Sequence, residues 1–178
     1  MTATFIVQDD QGDVVGANAY ITVQQFQDYH DSRGQTYIDP TTGANYVDTI
    51  IQMAIVRATD YIDGRFNFIG WRRYSNQPTA WPRWDAVDIN DRYLKGIPQG
   101  VSDATCEYAM RALTQAQLVA DPTYDESGRN LHQQIEKIGP IDLTKVFEGG
   151  FVMPKYPSAD RKLYQWGLVV SGGKMVRS

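Results

Sequence analysis

Two segments of this chain carry apolar residues at helical spacing, and they limit the folds open to it. In the first segment the apolar residues recur at i, i+3, i+4 and i+7 between Asn45, a good helix N-cap, and Gly64. The second runs from Pro98 to Asp121, where the following proline disfavours helix. Each stripe must pack on a core or a neighbouring helix, which predicts a small helical bundle. The stripes consist of Val47, Ile50, Ile51, Ala54, Ile55, Ala58, Tyr61 and Ile62, and of Val101, Ala104, Thr105, Tyr108, Ala109, Ala112, Leu113, Ala116 and Val119.

Shorter elements are predicted before these helices. Residues 3–8 have the composition of a short strand, and residues 19–21 form a second brief extended piece. Thr22 followed three residues later by Gln25 makes a capping-box pattern, which opens a short helix that Gly34 can end.

After the second helix the sequence returns to β-prone residues. Apolar residues within 135–143 predict strand with a Gly-Pro interruption, and the glycines of 148–150 are a hairpin signal. Ser158 can cap a last short helix that continues through Trp166. We expect the tail beyond that helix to be disordered unless a partner holds it.

Residues 65–97 have no sustained period, and their glycines and prolines argue against a long helix. Such a segment is usually functional or mobile, but its three tryptophans argue against simple disorder. The overall prediction is an α+β fold, a small helical bundle with short peripheral strands or a hairpin, an extended loop and a C-terminal arm. The helical core with its N-terminal β element is assigned to residues 1–147 and the C-terminal hairpin and arm to residues 148–178.

Charge and motifs exclude several classes of function. The chain of 178 residues has a net charge of −4, so no overall positive field draws it to nucleic acid. Cys106 is the single cysteine, and the two histidines, His30 and His132, have no metal-binding spacing. Nucleophile motifs, phosphate-binding loops, a signal peptide and a membrane-length apolar run are all missing from the sequence. We therefore expect a reduced, cytoplasmic-type soluble protein without a cofactor or metal site.

One cluster stands out within residues 65–84, where arginines are interleaved with large aromatic residues. This chemistry is typical of single-stranded nucleic-acid platforms and of protein–protein hot spots. A third interpretation is structural, with aromatics covering the helix pair and arginines pairing with carboxylates. On the residues alone we rank structural covering first, a protein interface second and nucleic acid third, because the chain is acidic overall. The cluster contains Arg65, Arg72, Arg73 and Arg83 with Phe66, Phe68, Trp71, Tyr74, Trp81 and Trp84.

The C-terminal third contains a second group of large apolar residues set among prolines. Such a chain end either folds back on its own core or inserts into a partner, and the residues alone leave both alternatives open. The group contains Phe151, Met153, Tyr156, Tyr164 and Trp166.

Taken in order, six segments resemble one family. They are residues 17–34, the helix AIVRATDYIDGRF at 54–66, WPR at 81–83, GIPQGVSDATCEYAMRAL at 96–113, EKIGPI at 136–141 and ADRKLYQW at 159–166. Their order and spacing, over roughly residues 17–166, resemble the small head-to-tail adaptor (connector, or head-completion) proteins of tailed bacteriophages. The same family is also labelled a DnaT-like single-stranded-DNA-binding protein.

The resemblance implies a structural subunit without enzyme activity. Such adaptors form a homo-oligomeric ring, commonly of twelve copies, beneath the portal protein, and they present a surface to the next neck or tail protein. They extend the channel through which DNA passes without specific binding, so the implied location is the virion head–tail junction after assembly in the host cytoplasm, with no membrane partner.

A ring subunit needs two different side faces, and its extended arms need large apolar anchors to offset the entropy lost on ordering. We assign contacts between subunits or with the portal to the loop and docking to the C-terminal segment. The assigned residues are Trp71, Arg72, Arg73, Trp81, Arg83 and Trp84 in the loop, and Tyr156, Tyr164 and Trp166 near the C-terminus.

The alternative is a single-stranded-DNA-binding replication accessory protein that uses the same Arg–Trp loop. It predicts micromolar or tighter binding that weakens steeply with salt. A hydrolase or nuclease, the third class, has no supporting group of residues in this sequence.

Overall fold

A computed structural model describes residues 4–114, 118, 133–138, 141–146 and 156–170 of the chain. These residues form four helices and two antiparallel two-stranded sheets, which confirms the predicted α+β fold. The helices are α1 (Val23–Asp31), α2 (Asp48–Arg65), α3 (Gln99–Thr114) and α4 (Pro157–Gln165); the strands are β1 (Trp71–Arg72), β2 (Arg83–Trp84), β3 (Gln133–Ile138) and β4 (Ile141–Val146).

The chain divides into two compact units. One comprises Met1–Leu118 with Lys155–Ser178, and the other comprises Val119–Pro154. The predicted boundary between residues 147 and 148 lies outside the described residues and stays a prediction.

Helix α1 begins as its capping box predicts. The Thr22 hydroxyl accepts a hydrogen bond from the Gln25 backbone N–H at 3.1 Å, and the Gln25 side chain accepts one from the Thr22 N–H at 2.7 Å. Phe26 and His30 are buried on the inner face of the helix. His30 is bonded through Nε2 to the Cys106 carbonyl and through Nδ1 to the Gln35 side chain, so it has a structural role.

Helices α2 and α3 pack against each other and supply more buried apolar residues than any other pair of elements. Ile51, Ile55 and Ile62 of α2 are fully buried, as are Val101 and Tyr108 of α3. The predicted N-cap at Asn45 is wrong, because Val47 caps α2 without a side-chain hydrogen bond. Asn45 is instead paired with Ile38 in a tight β-bridge, which holds its backbone extended before the helix begins.

Helix α4 packs on α3, so residues 156–170 fold back on the chain's own core, as one of the two alternatives for the C-terminal group predicts. Phe151 and Met153 of that group lie outside the described residues. Ala159 and Leu163 are buried, and the Asp160 carboxylate forms an ion pair with Arg65 at 3.0 Å. Gly100 permits the close approach of the helices, because a Cβ there would lie 2.9 Å from the Lys162 carbonyl oxygen. The last short helix is therefore confirmed, beginning at Pro157 rather than after Ser158.

The β elements are smaller than the sequence predicts at the N-terminus. The predicted strand over residues 3–8 amounts to one parallel bridge between Val7 and Ala19. In the second unit, β3 and β4 form an antiparallel pair in which Ile138 lies opposite Ile141. This confirms the predicted strand on both sides of the Gly-Pro break. The predicted hairpin at 148–150 and the tail after residue 170 lie outside the described residues. Among the residues described, no helix is both long and apolar enough to cross a membrane.

Candidate functional site

The 65–97 segment contains a short antiparallel ribbon, formed by β1 and β2. Its register pairs Trp71 with Trp84 and Arg72 with Arg83. Residues directly opposite in an antiparallel pair lie on the same face, so both tryptophans share one face and Arg72 and Arg83 share the other. The tryptophan face is open, with Trp71 72% exposed and Trp84 54% exposed.

Arg83 holds the ribbon from its inner side. Its guanidinium donates to the carbonyl oxygens of Ile69 at 2.7 Å, Gly70 at 2.7 Å and Ala80 at 3.1 Å. Burial lowers the pKa of Arg83, and the neighbouring positive charge of Arg72 lowers it further. The donors of Arg83 are engaged within the chain, so its role is to support the ribbon, whereas contact with a partner was predicted.

Arg73 connects the ribbon to the N-terminal segment. Its Nη1 donates to the Asp10 carbonyl oxygen at 2.9 Å, and its guanidinium carbon lies 4.5 Å from the centroid of the Trp84 ring. This cation–π contact fixes the Trp84 indole and leaves Trp71 as the more open ring of the pair. Arg72, the residue before Arg73, is exposed.

Trp81 differs from its predicted position on a contact surface. The side chain is fully buried, with its ring edge-on to Phe68 at a centroid distance of 5.7 Å. It lies in the core because the backbone around it is fastened inward, through a hydrogen bond from the Trp81 N–H to the Tyr20 hydroxyl at 3.1 Å. Trp81 thus supports the ribbon from below.

Asp63, near the end of α2, anchors the same loop. Its carboxylate accepts hydrogen bonds from the Ala80 N–H at 2.8 Å and from the Tyr20 hydroxyl. Burial raises the pKa of Asp63 to about 6, although both hydrogen bonds act in the opposite direction. The pairing of Asp63 with Tyr20 is not predictable from the sequence, since residues 43 positions apart show no local pattern.

Gly70 shapes the turn into β1. Its φ is +71°, and a Cβ at this position would lie 2.8 Å from the Ala86 nitrogen and closer still to the Trp84 carbonyl oxygen. Only glycine fits a left-handed backbone this close to another strand. The signal in the sequence was a lone glycine directly before Trp71, which argued against a long helix but did not predict this close approach.

A loop beside the ribbon adds exposed apolar surface that was not predicted from the sequence. Val87 and Tyr93 form an antiparallel bridge, and between them Asp88 pairs with Arg92 at 2.7 Å. Ile89 and Tyr93 are both strongly exposed. This loop follows the ribbon through Ala86, whose backbone closely approaches Gly70.

The three C-terminal residues predicted for docking do not form one surface. Tyr156 is half-buried against Tyr61 and Tyr108, with centroid distances of 6.0 and 5.8 Å. Trp166 is half-buried near α3, whereas Tyr164 is exposed and edge-on to Phe66. Tyr164 is therefore the member of this group most open to a partner.

A cleft of about 450 Å³ between α1 and α3 is lined by Tyr29, Arg33, Asp103 and Cys106, among others. Burial is the main cause that raises the pKa of the Cys106 thiol, and nearby Asp103 adds to it. A thiol in this state is a poor nucleophile. Within the described ranges no group of three His, Cys, Asp or Glu side chains could hold a metal ion.

The described residues thus define a small α+β protein that presents an exposed arginine–tryptophan ribbon. Residues 3–177 match the model of a family described as "Putative DnaT-like ssDNA binding protein", and the chain belongs to that family. This match confirms the DnaT-like label given with the resemblance and carries no indication of a phage adaptor. No curated protein and no solved structure matches the chain.

Proposed function

We propose that this protein binds single-stranded DNA through the tryptophan face of the ribbon. The observation that carries the proposal is the register of Trp71 opposite Trp84 on one exposed face. Two indoles on a rigid support can stack with two bases without reading their sequence, since every base has a π-face. The description of the family as ssDNA binding supports the same function.

Local charge also favours this face. Between residues 64 and 84 the chain carries four arginines and no Asp or Glu, although its net charge is −4. Arg73, whose guanidinium carbon lies 4.5 Å from the Trp84 ring centroid, is the cation beside the indoles, whereas the exposed Arg72 lies on the opposite face of the ribbon. Both add positive charge that can attract the phosphates of a strand whose bases stack on the indoles. With two stacking residues at roughly 1–3 kcal/mol each, we expect modest affinity that falls as salt rises.

The test is fluorescence anisotropy of a labelled oligothymidylate titrated with the full chain at several salt concentrations. Trp71→Ala should weaken binding roughly tenfold or more, because it removes the more open stacking ring. Tyr164→Ala is the matched control, since it removes an exposed aromatic residue of α4. Absence of binding at low salt, or an equal loss in both variants, would contradict the proposal.

The exposed tryptophans also favour a second candidate function, the head-to-tail adaptor of a tailed phage. Large aromatic residues beside arginine on a rigid support have the composition of a protein–protein hot spot. In this second proposal copies of the chain form a ring at the head–tail junction of the virion, contacting the portal and a neck or tail protein. The acidic net charge supports it, because a DNA channel should not retain its cargo.

One comparison distinguishes the two candidates. If the chain is an adaptor, mixing it with a purified portal ring should give a complex of higher mass, and Trp71→Ala should prevent that complex from forming. The anisotropy of labelled oligothymidylate should then not change when the chain is added. In neither function do we propose catalysis. The buried Cys106 and the hydrogen-bonded His30 support a non-enzymatic role.

A further inference from the structure

The ribbon lies against a turn near the start of the chain, which we call the N-terminal turn (residues 9–12). One oxygen of the Asp9 carboxylate accepts hydrogen bonds from the Gln11 N–H at 2.9 Å and from the Gly12 N–H at 2.7 Å. A side chain that accepts from the backbone a few residues later holds the chain in a defined turn. The shape of the N-terminal turn therefore depends on a single carboxylate.

The N-terminal turn contacts the ribbon at two places. The carbonyl oxygens of Asp10 and Gln11 accept hydrogen bonds from Arg73 Nη1 at 2.9 and 3.4 Å. Gly12 has φ +82°, and a Cβ there would lie 2.9 Å from Cγ of Pro82. The turn thus lies against the residue that follows β1 and the residue that precedes β2.

Further hydrogen bonds hold the turn to the surrounding chain. The Asp10 carboxylate accepts one from the Ile97 N–H at 2.9 Å. The Asp9 N–H donates to the Gln8 side-chain oxygen at 3.1 Å, and the buried Gln8 amide donates to the Thr79 hydroxyl at 3.1 Å. The turn is therefore fixed on both sides, as a support for a neighbouring side chain must be.

The side chain that the turn supports is Arg73. Its guanidinium carbon lies over the Trp84 ring, 4.5 Å from the centroid, while its Nη1 is held by the carbonyl oxygens of the turn. A guanidinium over an indole is attracted to the ring and covers one of its two faces. Trp84 is 54% exposed, so its other face is the one that a base can reach.

The charge of the turn acts in the opposite direction. Asp9 and Asp10 place negative charge close to Arg73, and negative charge repels the phosphates of a DNA strand. By charge alone, removing either carboxylate should strengthen DNA binding. A contribution of the turn that favours binding must therefore come from the geometry that it imposes.

We propose that Asp9 is a positioning residue for DNA binding. It folds the N-terminal turn, the carbonyl oxygens of the turn orient Arg73, and Arg73 fixes the Trp84 indole with one face open to a base. This inference rests on the proposed binding of single-stranded DNA. It assigns to an acidic residue beside the ribbon an effect opposite in sign to that of its charge.

The experiment compares Asp9→Ala with Asp9→Asn in the full chain, using the anisotropy of labelled oligothymidylate. Both variants remove the same charge, but only asparagine keeps a side-chain oxygen that can accept the two N–H groups of the turn. We expect Asp9→Asn to bind at least as tightly as wild type. Asp9→Ala should bind roughly three- to fivefold more weakly, which is the size of an exposed cation–π contact. Far-UV circular dichroism confirms that each protein is folded.

Repeating the comparison in a Trp84→Ala background tests the route. The difference in affinity between Asp9→Ala and Asp9→Asn should disappear there, because the indole through which it acts is missing. Near-UV circular dichroism without DNA gives a second measurement. The tryptophan signal of Asp9→Ala should be weaker than that of Asp9→Asn, and this difference should also be absent in the Trp84→Ala background.

Arg73→Lys tests the next step of the same route and does not depend on the folding of Asp9→Ala. Lysine keeps the charge but lacks the planar guanidinium, so it cannot lie flat on the indole while donating to the turn. We expect binding about threefold weaker than in wild type, with the same dependence on salt concentration. If lysine binds as tightly as arginine, Arg73 acts through charge alone and the inference is wrong.

Failure of this inference is distinguishable from failure of the proposed function. If wild type does not bind oligothymidylate at low salt, the proposed function is contradicted. If wild type binds and the two Asp9 variants have equal affinity, only the positioning role is contradicted. A difference between them that persists in the Trp84→Ala background would also overturn the inference, because Asp9 would then act through another group.

Discussion

The Asp63 carboxylate accepts a hydrogen bond from the Ala80 backbone N–H at 2.8 Å, which fastens the loop before β2 to the end of α2. The same carboxylate accepts the Tyr20 hydroxyl, whose oxygen in turn accepts the Trp81 N–H at 3.1 Å. Three separate parts of the chain meet at this carboxylate. The exposed face of the ribbon thus depends on a buried polar contact beneath it.

Asp63→Ala should destabilise the protein by roughly 2–4 kcal/mol, because it leaves the buried Ala80 N–H and the Tyr20 hydroxyl without their acceptor. Urea denaturation measures the free energy of unfolding. Asp60→Ala is the matched control one turn earlier in α2, since Asp60 is exposed, and we expect a change within about 0.5 kcal/mol. An equal loss of unfolding free energy in the two variants would show that the hydrogen bonds of Asp63 do not stabilise the protein.

Stability should rise as pH falls from about 6 to about 4. Burial raises the native pKa of Asp63 to about 6, whereas an unfolded Asp titrates near 3.9. The native state binds a proton more readily than the unfolded state, so acidification favours folding by on the order of 3 kcal/mol. This contribution is complete below about pH 4 and absent above about pH 6.

Asp63→Asn tests that pH dependence, because an amide cannot titrate but keeps an acceptor oxygen. The free energy of unfolding, measured by urea at each pH, should lose the rise in the variant. Asp88, whose pKa is lowered by the Arg92 hydrogen bond, titrates in both proteins and cancels in the comparison. Parallel profiles for the two proteins would show that Asp63 has an ordinary pKa.

Gly70→Ala should cost roughly 2–4 kcal/mol and disturb the ribbon. The residue has φ +71°, and its Cβ would meet backbone atoms of Trp84 and Ala86, which cannot move aside as a flexible side chain can. Gly64→Ala is the control, because it lies in α2 with no atom within 4 Å of its Cβ. For Gly64→Ala we expect the free energy of unfolding, measured by chemical denaturation, to stay the same or to rise by up to about 1 kcal/mol. If both variants unfold at the same denaturant concentration, the close approach at Gly70 is not restrictive.

Local signals in the sequence predicted much of the fold and only part of the candidate site. The capping box at Thr22 and most of the apolar periods of α2 and α3 depend on neighbouring residues, and they were confirmed. The predicted stripe of α2 is wrong at its start, because Val47 and Ile50 are exposed. Asn45 has a side chain suited to an N-cap, but its β-bridge with Ile38 holds its backbone outside the helix. A local signal fails where a tertiary contact is stronger.

The tryptophans show the same limit at the site. Trp71, Trp81 and Trp84 have similar sequence surroundings, yet Trp81 is fully buried while the other two are exposed. The difference arises from contacts with Tyr20 and Asp63, far away in the sequence. Composition could identify the cluster as a whole but could not separate its contact surface from its support.

Substitution of the tryptophans one at a time should therefore separate stability from binding. Trp81→Ala removes a fully buried side chain and should cost about 3–5 kcal/mol, because a large cavity remains. Trp71→Ala removes a side chain that is mostly in water, so its effect on the free energy of unfolding should stay within about 0.5 kcal/mol while binding to DNA weakens roughly tenfold or more. Urea denaturation and anisotropy on the same preparations compare the two. A Trp71→Ala protein as unstable as Trp81→Ala would show that the tryptophan face is part of the core.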